Sequence, residues 1–290
     1  MANLAVVQGS SQGIGLSITK YLLRNSNLNV VSTTSKDPLK VRRRILEEIK
    51  EDGGQFGSDR AIENIGSRLV NHRLDVRDEL SIERVSRSIR DRFGQNLRFL
   101  VNVSGVLLAE KSITKVNKED MEKTFSINTM GHILVYKHFF SLLPTRSQIK
   151  QNESIGIGGP ENDPAKGLIR PNLNILLSFS ARVGSITDNN LGGWYSYRSS
   201  KTAINQTMVT LQKEIDLKKS LSPTITVAYH PGTVLGTELS KQFVEPTSNS
   251  KKLGFNPPEK AVEKLFDVLR DLGPNDGASF LDYQGKRLPW

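Results

Sequence analysis

A doubly wound α/β domain, with a mostly parallel seven-stranded sheet and helices on both faces, is the fold class predicted for these 290 residues. Three observations predict it. Seven short runs rich in β-branched residues recur along the chain. Helical periodicities fill most of the intervals, and strands alternating with helices make right-handed βαβ units. Several of the runs are nearly continuous in apolar residues, as strands buried on both faces must be.

The first run is LAVVQ (4–8), which passes through Gly9 into the amphipathic stretch LSITKYLL. NVVSTT (29–34) is the second, followed by KDPLKVRRR (36–44) and ILEEIKED, an exposed helix whose bases are compensated by acids. RLVNHRL (68–74) and LRFLVNVS (97–104) flank the helical pattern LSIERVSRSIRDRF. A long helix follows in MEKTFSINTMGHILVYKHFFSLL, then NILLSFS (174–180) and TITVAY (224–229). AVEKLFDVLRDL is the last helical pattern and ASFLDY (278–283) the last strand. No repeat or composition break marks a linker, so one domain over 1–290 is expected. Two polar stretches rich in Gly, Pro or Asn, 53–67 and 144–172, are longer than the units need and are expected to be loop insertions at the surface.

Composition removes several function classes. Cysteine is absent, which excludes disulfides, thiolate metal sites and cysteine nucleophiles. The four histidines have no zinc-ligand spacing, so no metal is expected. No apolar run reaches the roughly 18 residues of a membrane span. The first strand begins at Asn3 or Leu4, which leaves no room for a cleavable leader, and a cytoplasmic protein is expected. The formal charge of +10 suits an anionic cofactor, nucleic acid or acidic lipid. No aromatic residues interleave the basic cluster, so nucleic acid is not expected as a partner.

Two motifs carry chemistry. Gly9, Gly13 and Gly15 stand between a strand and a helix, where glycine permits a tight turn and close backbone approach. The helix N-terminus there attracts a pyrophosphate. A strand-to-helix turn uses glycine anyway, so the spacing alone is weak. Tyr197 and Lys201 are four apart, on one helix face with Cβ atoms about 5–6 Å apart. A free tyrosine titrates near about 10, and a nearby ammonium favours the phenolate. Such a pair can hand a proton to a carbonyl oxygen while hydride reaches the carbon. Trp194 either lines an apolar pocket or packs in a loop.

With both motifs in this order, the chain resembles the short-chain dehydrogenase/reductase family, a Rossmann-type fold, over essentially its whole length. Gly9-Ser-Ser11-Gln12-Gly13-Ile14-Gly15 matches its T-G-x-x-x-G-I-G motif, and Tyr197 and Lys201 match Y-x-x-x-K. Asp75-Val76 corresponds to the adenine-contacting position, and VNVSG, with Asn102 and Gly105, to N-N-A-G. Asn128 falls at the catalytic asparagine, and Pro231, Gly232 and Val234 at the P-G motif beside the nicotinamide. SARVGSI, GGWYSY and FLDYQGKRLPW look closest to the C-factor-like branch of carbonyl-reducing members. The resemblance implies Tyr as acid/base and Lys as the group that lowers its pKa and binds the nicotinamide ribose. It implies that Asn orders a water and that Ser holds the substrate oxygen. A homodimer through the long helices is a further expectation from the family.

The chain departs from the pattern in four places. Gln8 replaces a threonine, Val103 an asparagine, and HPGTVLGTELS is one residue long, so the alignment leaves Thr237 as a pyrophosphate contact open. In S-S-x-x-G the second serine is catalytic, and here Ala181 occupies it. Ser180, redirected by a bulge, is the candidate hydroxyl, and Ser185 is the other. At the end of the second strand an acid would accept a ribose 2′-OH and a base a 2′-phosphate. Lys36, with Arg42 to Arg44 nearby, favours NADP(H); Asp37 would favour NAD if the register shifts. The predicted function is NADP-dependent reduction of a small carbonyl substrate, a ketone or aldehyde, with Tyr197 as proton donor. The alternative is a weak or inactive dinucleotide-binding sensor or scaffold.

Overall fold

Alternate residues of the first strand feed opposite layers. Ala5 and Val7 join one buried cluster with Ile18, Leu22 and Phe266, while Leu4 and Val6 join another with Val135 and Phe139. A strand buried this way must be covered on both faces. The computed structural model describes residues 3–154, 162–241 and 255–290. In chain order the elements are β1 (Leu4–Gln8), α1 (Gly13–Asn25), β2 (Asn29–Thr34), α2 (Pro38–Glu51), α3 (Asp59–Arg68) and β3 (Leu69–Arg73). Then come α4 (Glu79–Phe93), β4 (Leu97–Asn102), α5 (Lys118–Phe125), α6 (Gly131–Phe139), α7 (Arg146–Ser154) and β5 (Asn174–Phe179). The chain continues through α8 (Tyr195–Leu217), β6 (Thr224–His230), α9 (Glu238–Lys241), α10 (Pro258–Asp271) and β7 (Ser279–Asp282).

The sheet has seven strands in the order β3-β2-β1-β4-β5-β6-β7. Every pairing is parallel. The strand order reverses between β1 and β4, which opens a crevice beyond their C-terminal ends. No helix among the described residues is long and apolar enough to cross a membrane.

Three stretches differ from expectation. Residues 53–67, read as a loop insertion, hold a single turn over Gly54–Phe56 and most of α3. The Ser58 hydroxyl caps α3 by accepting from the Ala61 amide, and Ile65 buries its apolar edge. One short apolar edge among polar residues does not stand out as a helix. The long helix after β4 is broken by a π-helical turn over Ser126–Met130, closed by the Gly131 amide on the Ser126 carbonyl. A Cβ on Gly131 would lie 2.6 Å from Val76 Cβ, so this helix packs directly on the chain after β3.

The third is 144–172, of which 155–161 lies outside the described residues. Its described parts sit at the N-terminal edge of the sheet, opposite the crevice. Arg98, on β4 and fully buried, donates to the Arg170 carbonyl, and the Asn27 amide donates to Pro164. On the other side the Arg146 amide donates to the Ser220 carbonyl, just ahead of β6. Expected as a surface loop, the stretch instead contributes Ala165, Leu168 and Ile169 to the buried core.

Candidate active site

The crevice at the C-terminal edge is built first by the turn after β1. Gly9 has φ 87° and Gly13 φ 53°, both in the left-handed region that favours glycine. A Cβ on Gly9 would come within 2.9 Å of the Ser104 nitrogen, and one on Gly15 within 2.1 Å of the Gly9 carbonyl oxygen. The first turn of α1 therefore rests on the turn itself, and its amides stay at the cleft. Gln8, which stands in place of the family threonine, makes a cross-link here: its Oε1 accepts from the Ser104 hydroxyl (2.8 Å) and amide (3.3 Å). This ties the end of β1 to the chain after β4.

The cleft has a volume of about 630 Å³. Gly9, Ser11, Gln12, Gly13 and Ile14 form its floor, with Asp75 and Val76 after β3, Gly105 after β4 and Pro231 after β6. Tyr197, Lys201 and Ser180 face it from the opposite side. Gly15, Asn102, Asn128, Gly232 and Val234 lie behind this lining. Gly232 has φ 73° and packs on the Tyr283 ring, and Val234 is buried. Thr237 lines the cleft, and its methyl would meet a Cβ on Gly13 at 3.4 Å.

Tyr197 and Lys201 share one face of α8, as their spacing predicts. Glu110 holds the start of that helix: it accepts from the Ser196 hydroxyl and amide, and its carbonyl accepts from Trp194 N. Lys201 is buried; its Nζ donates to the Phe179 carbonyl at 2.7 Å and lies 5.7 Å from the Tyr197 ring centre. Burial holds the ammonium down to about 8. Burial also pushes the Tyr197 phenol up from its ordinary value. Desolvation of the phenol is the whole cause, so the lowering expected from the lysine does not appear and the protonated form is favoured.

Asn128 is fully buried on the π-helical turn. Its Oδ1 accepts from the Val106 amide (2.8 Å), and its Nδ2 donates to the Val106 carbonyl (2.9 Å) and Ser200 Oγ (3.1 Å). The side chain clamps the segment after Gly105 to α8. The extra residue of the π turn also lets Thr129 donate to the Ser200 carbonyl. A buried polar chain lies beneath: the Tyr136 hydroxyl, Ser178 Oγ, His132 and the Ser104 carbonyl are linked in succession. Burial drives His132 down to about 3, so the ring is neutral. The partners of His132 come from β5 and the chain after β4, so nothing in its own stretch of sequence marks this support of the cleft floor.

Ser180 lines the cleft, but its hydroxyl is engaged by the protein itself. Ala181 has extended backbone (φ −153°, ψ 149°), so the strand geometry continues and no bulge redirects the hydroxyl. Ser180 Oγ donates to Asn205 Oδ1 at 2.6 Å, one turn beyond Lys201 on α8. Ala181 is the residue packed on Tyr197, with Leu107. Ser185, the other candidate, donates to the Trp290 carbonyl. Ser180→Ala is accordingly expected to cost stability, about 1–3 kcal/mol for the unsatisfied Asn205 acceptor, read from the denaturant midpoint. A rate loss of a hundredfold or more would show instead that this hydroxyl reaches the substrate.

At the far end of the cleft Asp37 caps α2, accepting from the Leu39 and Lys40 amides, which occupies the one acid near β2. Lys36 Nζ donates to Gln12 Oε1 (3.0 Å), and Arg44, which lines the cleft, reaches the Ser11 carbonyl. Arg42 is held by the Leu69 and Gly66 carbonyls and is not available. Arg77, unremarked in the sequence, lines the cleft and forks onto Asp75, holding that carboxyl below its usual range. Among the described residues no group of three or more metal-ligating side chains exists.

A family described as short chain dehydrogenase matches residues 3–150. C-signal of Myxococcus xanthus is 28% identical over 191 residues, 66% of this chain and 91% of that protein. Among solved structures, the carbonyl reductase Sniffer of D. melanogaster superposes with a TM-score of 0.73 at 22% identity, over all of both chains. The NADPH-bound carbonyl reductase from chicken fatty liver does so with 0.72 at 24%, over 100% of this chain and 99% of that one. The C-signal match agrees with the branch read from the end of the sequence.

Proposed function

Because the chain belongs to the short-chain dehydrogenase family of oxidoreductases, we propose that it reduces a ketone or aldehyde to an alcohol with NADPH. The observation that carries this reading is that Tyr197 and Lys201 face the same cleft as the glycine turn. The turn fits a dinucleotide: side chains at Gly9 or Gly15 would strike backbone atoms, and the α1 amides suit a pyrophosphate. When bound, the cofactor supplies hydride. Tyr197, kept protonated by burial, gives its proton to the carbonyl oxygen. Lys201 supplies positive charge beside the phenol and a donor toward the ribose. Asn128 holds the chain around Val106 against α8, and with it the cleft floor.

NADPH over NADH follows from Arg44 and Lys36 at the β2 end of the cleft, and from Asp37 being engaged as a cap. A charge-assisted contact to the 2′-phosphate contributes about 1.5–3 kcal/mol, roughly ten- to a hundredfold in affinity. Calorimetric titration is expected to show tighter binding of NADPH, and a loss of that order in Arg44→Ala or Lys36→Ala. Tighter NADH binding would reverse the assignment. Ala181 favours a second reading, a dinucleotide-binding scaffold. NADPH binding without turnover of any carbonyl would select it.

A further inference from the structure

Resting on the carbonyl-reducing reading above, we infer that Ala181 is a specificity-determining residue. It makes this a one-donor site, suited to apolar carbonyls activated by a neighbouring electron-withdrawing group, an α-dicarbonyl being the simplest. The family places a second hydroxyl at this position, and here a methyl group packs on Tyr197. Among the described residues, no other side-chain hydroxyl near Tyr197 replaces it. Ser180 donates to Asn205, Ser104 to Gln8, and Thr237 to the Val234 carbonyl. Ser11, Thr34 and Ser35 line the cleft on its β2 side, toward Arg44. Among the described residues, nothing in the protein hydrogen-bonds the Tyr197 hydroxyl, so it is the donor left for a substrate oxygen.

The surroundings of that donor are apolar. Leu107 and Ala181 are buried against Tyr197, with Val183, Trp194 and Leu239 packed around them, and the Trp194 ring meets Tyr197 edge-on at 6.3 Å. As hydride adds to the carbonyl carbon, the C=O π pair moves onto oxygen, which then takes the Tyr197 proton. An α-dicarbonyl becomes an α-hydroxy ketone. An isolated ketone must develop that charge against one donor where two would ordinarily share it, and one donor is typically worth about a hundredfold or more in rate. An adjacent carbonyl withdraws charge from the developing alkoxide and lessens the need for the second donor.

A matched pair of substrates tests this: acetylbenzoyl, an α-dicarbonyl, and propiophenone, which has a methylene in place of its second carbonyl. NADPH oxidation by the full chain is measured for wild type, Ala181→Ser, and the isosteric pair Ala181→Thr and Ala181→Val. NADPH affinity is checked in each. The expected result is a strong wild-type preference for acetylbenzoyl, narrowed about tenfold or more in the Ser and Thr variants by faster propiophenone reduction. The Val variant should keep the wild-type ratio. An unchanged ratio in both hydroxyl variants, or a Val variant that matches Thr, overturns the inference while leaving carbonyl reduction standing. Failure of every form to reduce either compound overturns both.

Discussion

Replacing Tyr197 with phenylalanine is expected to lower turnover about 10²–10⁴-fold, the range for loss of a positioned general acid, with NADPH binding retained. The substitution removes one oxygen and keeps the ring, so its packing on Leu107, Ala181 and Trp194 survives. Burial keeps the phenol protonated over the whole assay range, so Tyr197 does not set the pH dependence of the reduction. Lys201, held near 8, is expected to set it. Reduction by wild type should therefore fall as pH rises through about 8, where the charge beside the phenol disappears. Steady-state kinetics across pH, with fluorescence titration of NADPH, measures both. A Phe variant with more than a tenth of wild-type activity would rule out Tyr197 as the proton donor.

Lys201→Met is expected to cost about a hundredfold in rate, weaken NADPH binding, and yet make the protein more stable at neutral pH. A lysine titrating near 8 when folded and 10.5 when unfolded carries a burial cost of about 3 kcal/mol when charged. Methionine removes that cost and forfeits the bond to the Phe179 carbonyl, a loss of about 1–2 kcal/mol. The net gain at pH 7 is about 1–2 kcal/mol. The sign of the pH dependence follows from proton binding. Between about 8 and 10.5 the unfolded chain holds a proton on Lys201 that the folded chain has released. Wild-type stability therefore gains on the variant as pH rises through that window, and the difference is constant below it. Denaturant titrations of both proteins at several pH values test this. A variant less stable than wild type at pH 7, or a pH-independent difference, would contradict the burial account. The stability given up at this position is what keeps an ammonium at the site.

Local pattern made much of the protein legible. Short runs rich in β-branched and apolar residues marked all seven strands, because strands covered on both faces are built mostly from such side chains. Gly9 and Gly13 were readable because only glycine enters their backbone region without strain, and Tyr197 and Lys201 because four residues return a helix to the same face. Lys36 and the absence of an acid before Asp37 were also visible, since cofactor discrimination depends on a few consecutive residues after one strand. In each case residues close in the chain contain the whole physical constraint.

What the chain order left open was decided by contacts between distant segments. Asp37 could have faced a ribose; its carboxylate instead caps α2. Ser180 had no partner that chain order could name; its hydroxyl donates to Asn205, and Ala181 packs against the tyrosine. The π turn at Asn128, the tie from Gln8 to Ser104, and the chain from His132 to Ser178 each join residues at least 22 positions apart. The sequence alone determined the fold, the glycine turn and the Tyr–Lys pair, all properties of short segments and their periodicities. Only the tertiary structure decided which hydroxyls the protein itself engages, because a side chain's direction depends on partners that other strands and helices bring to it.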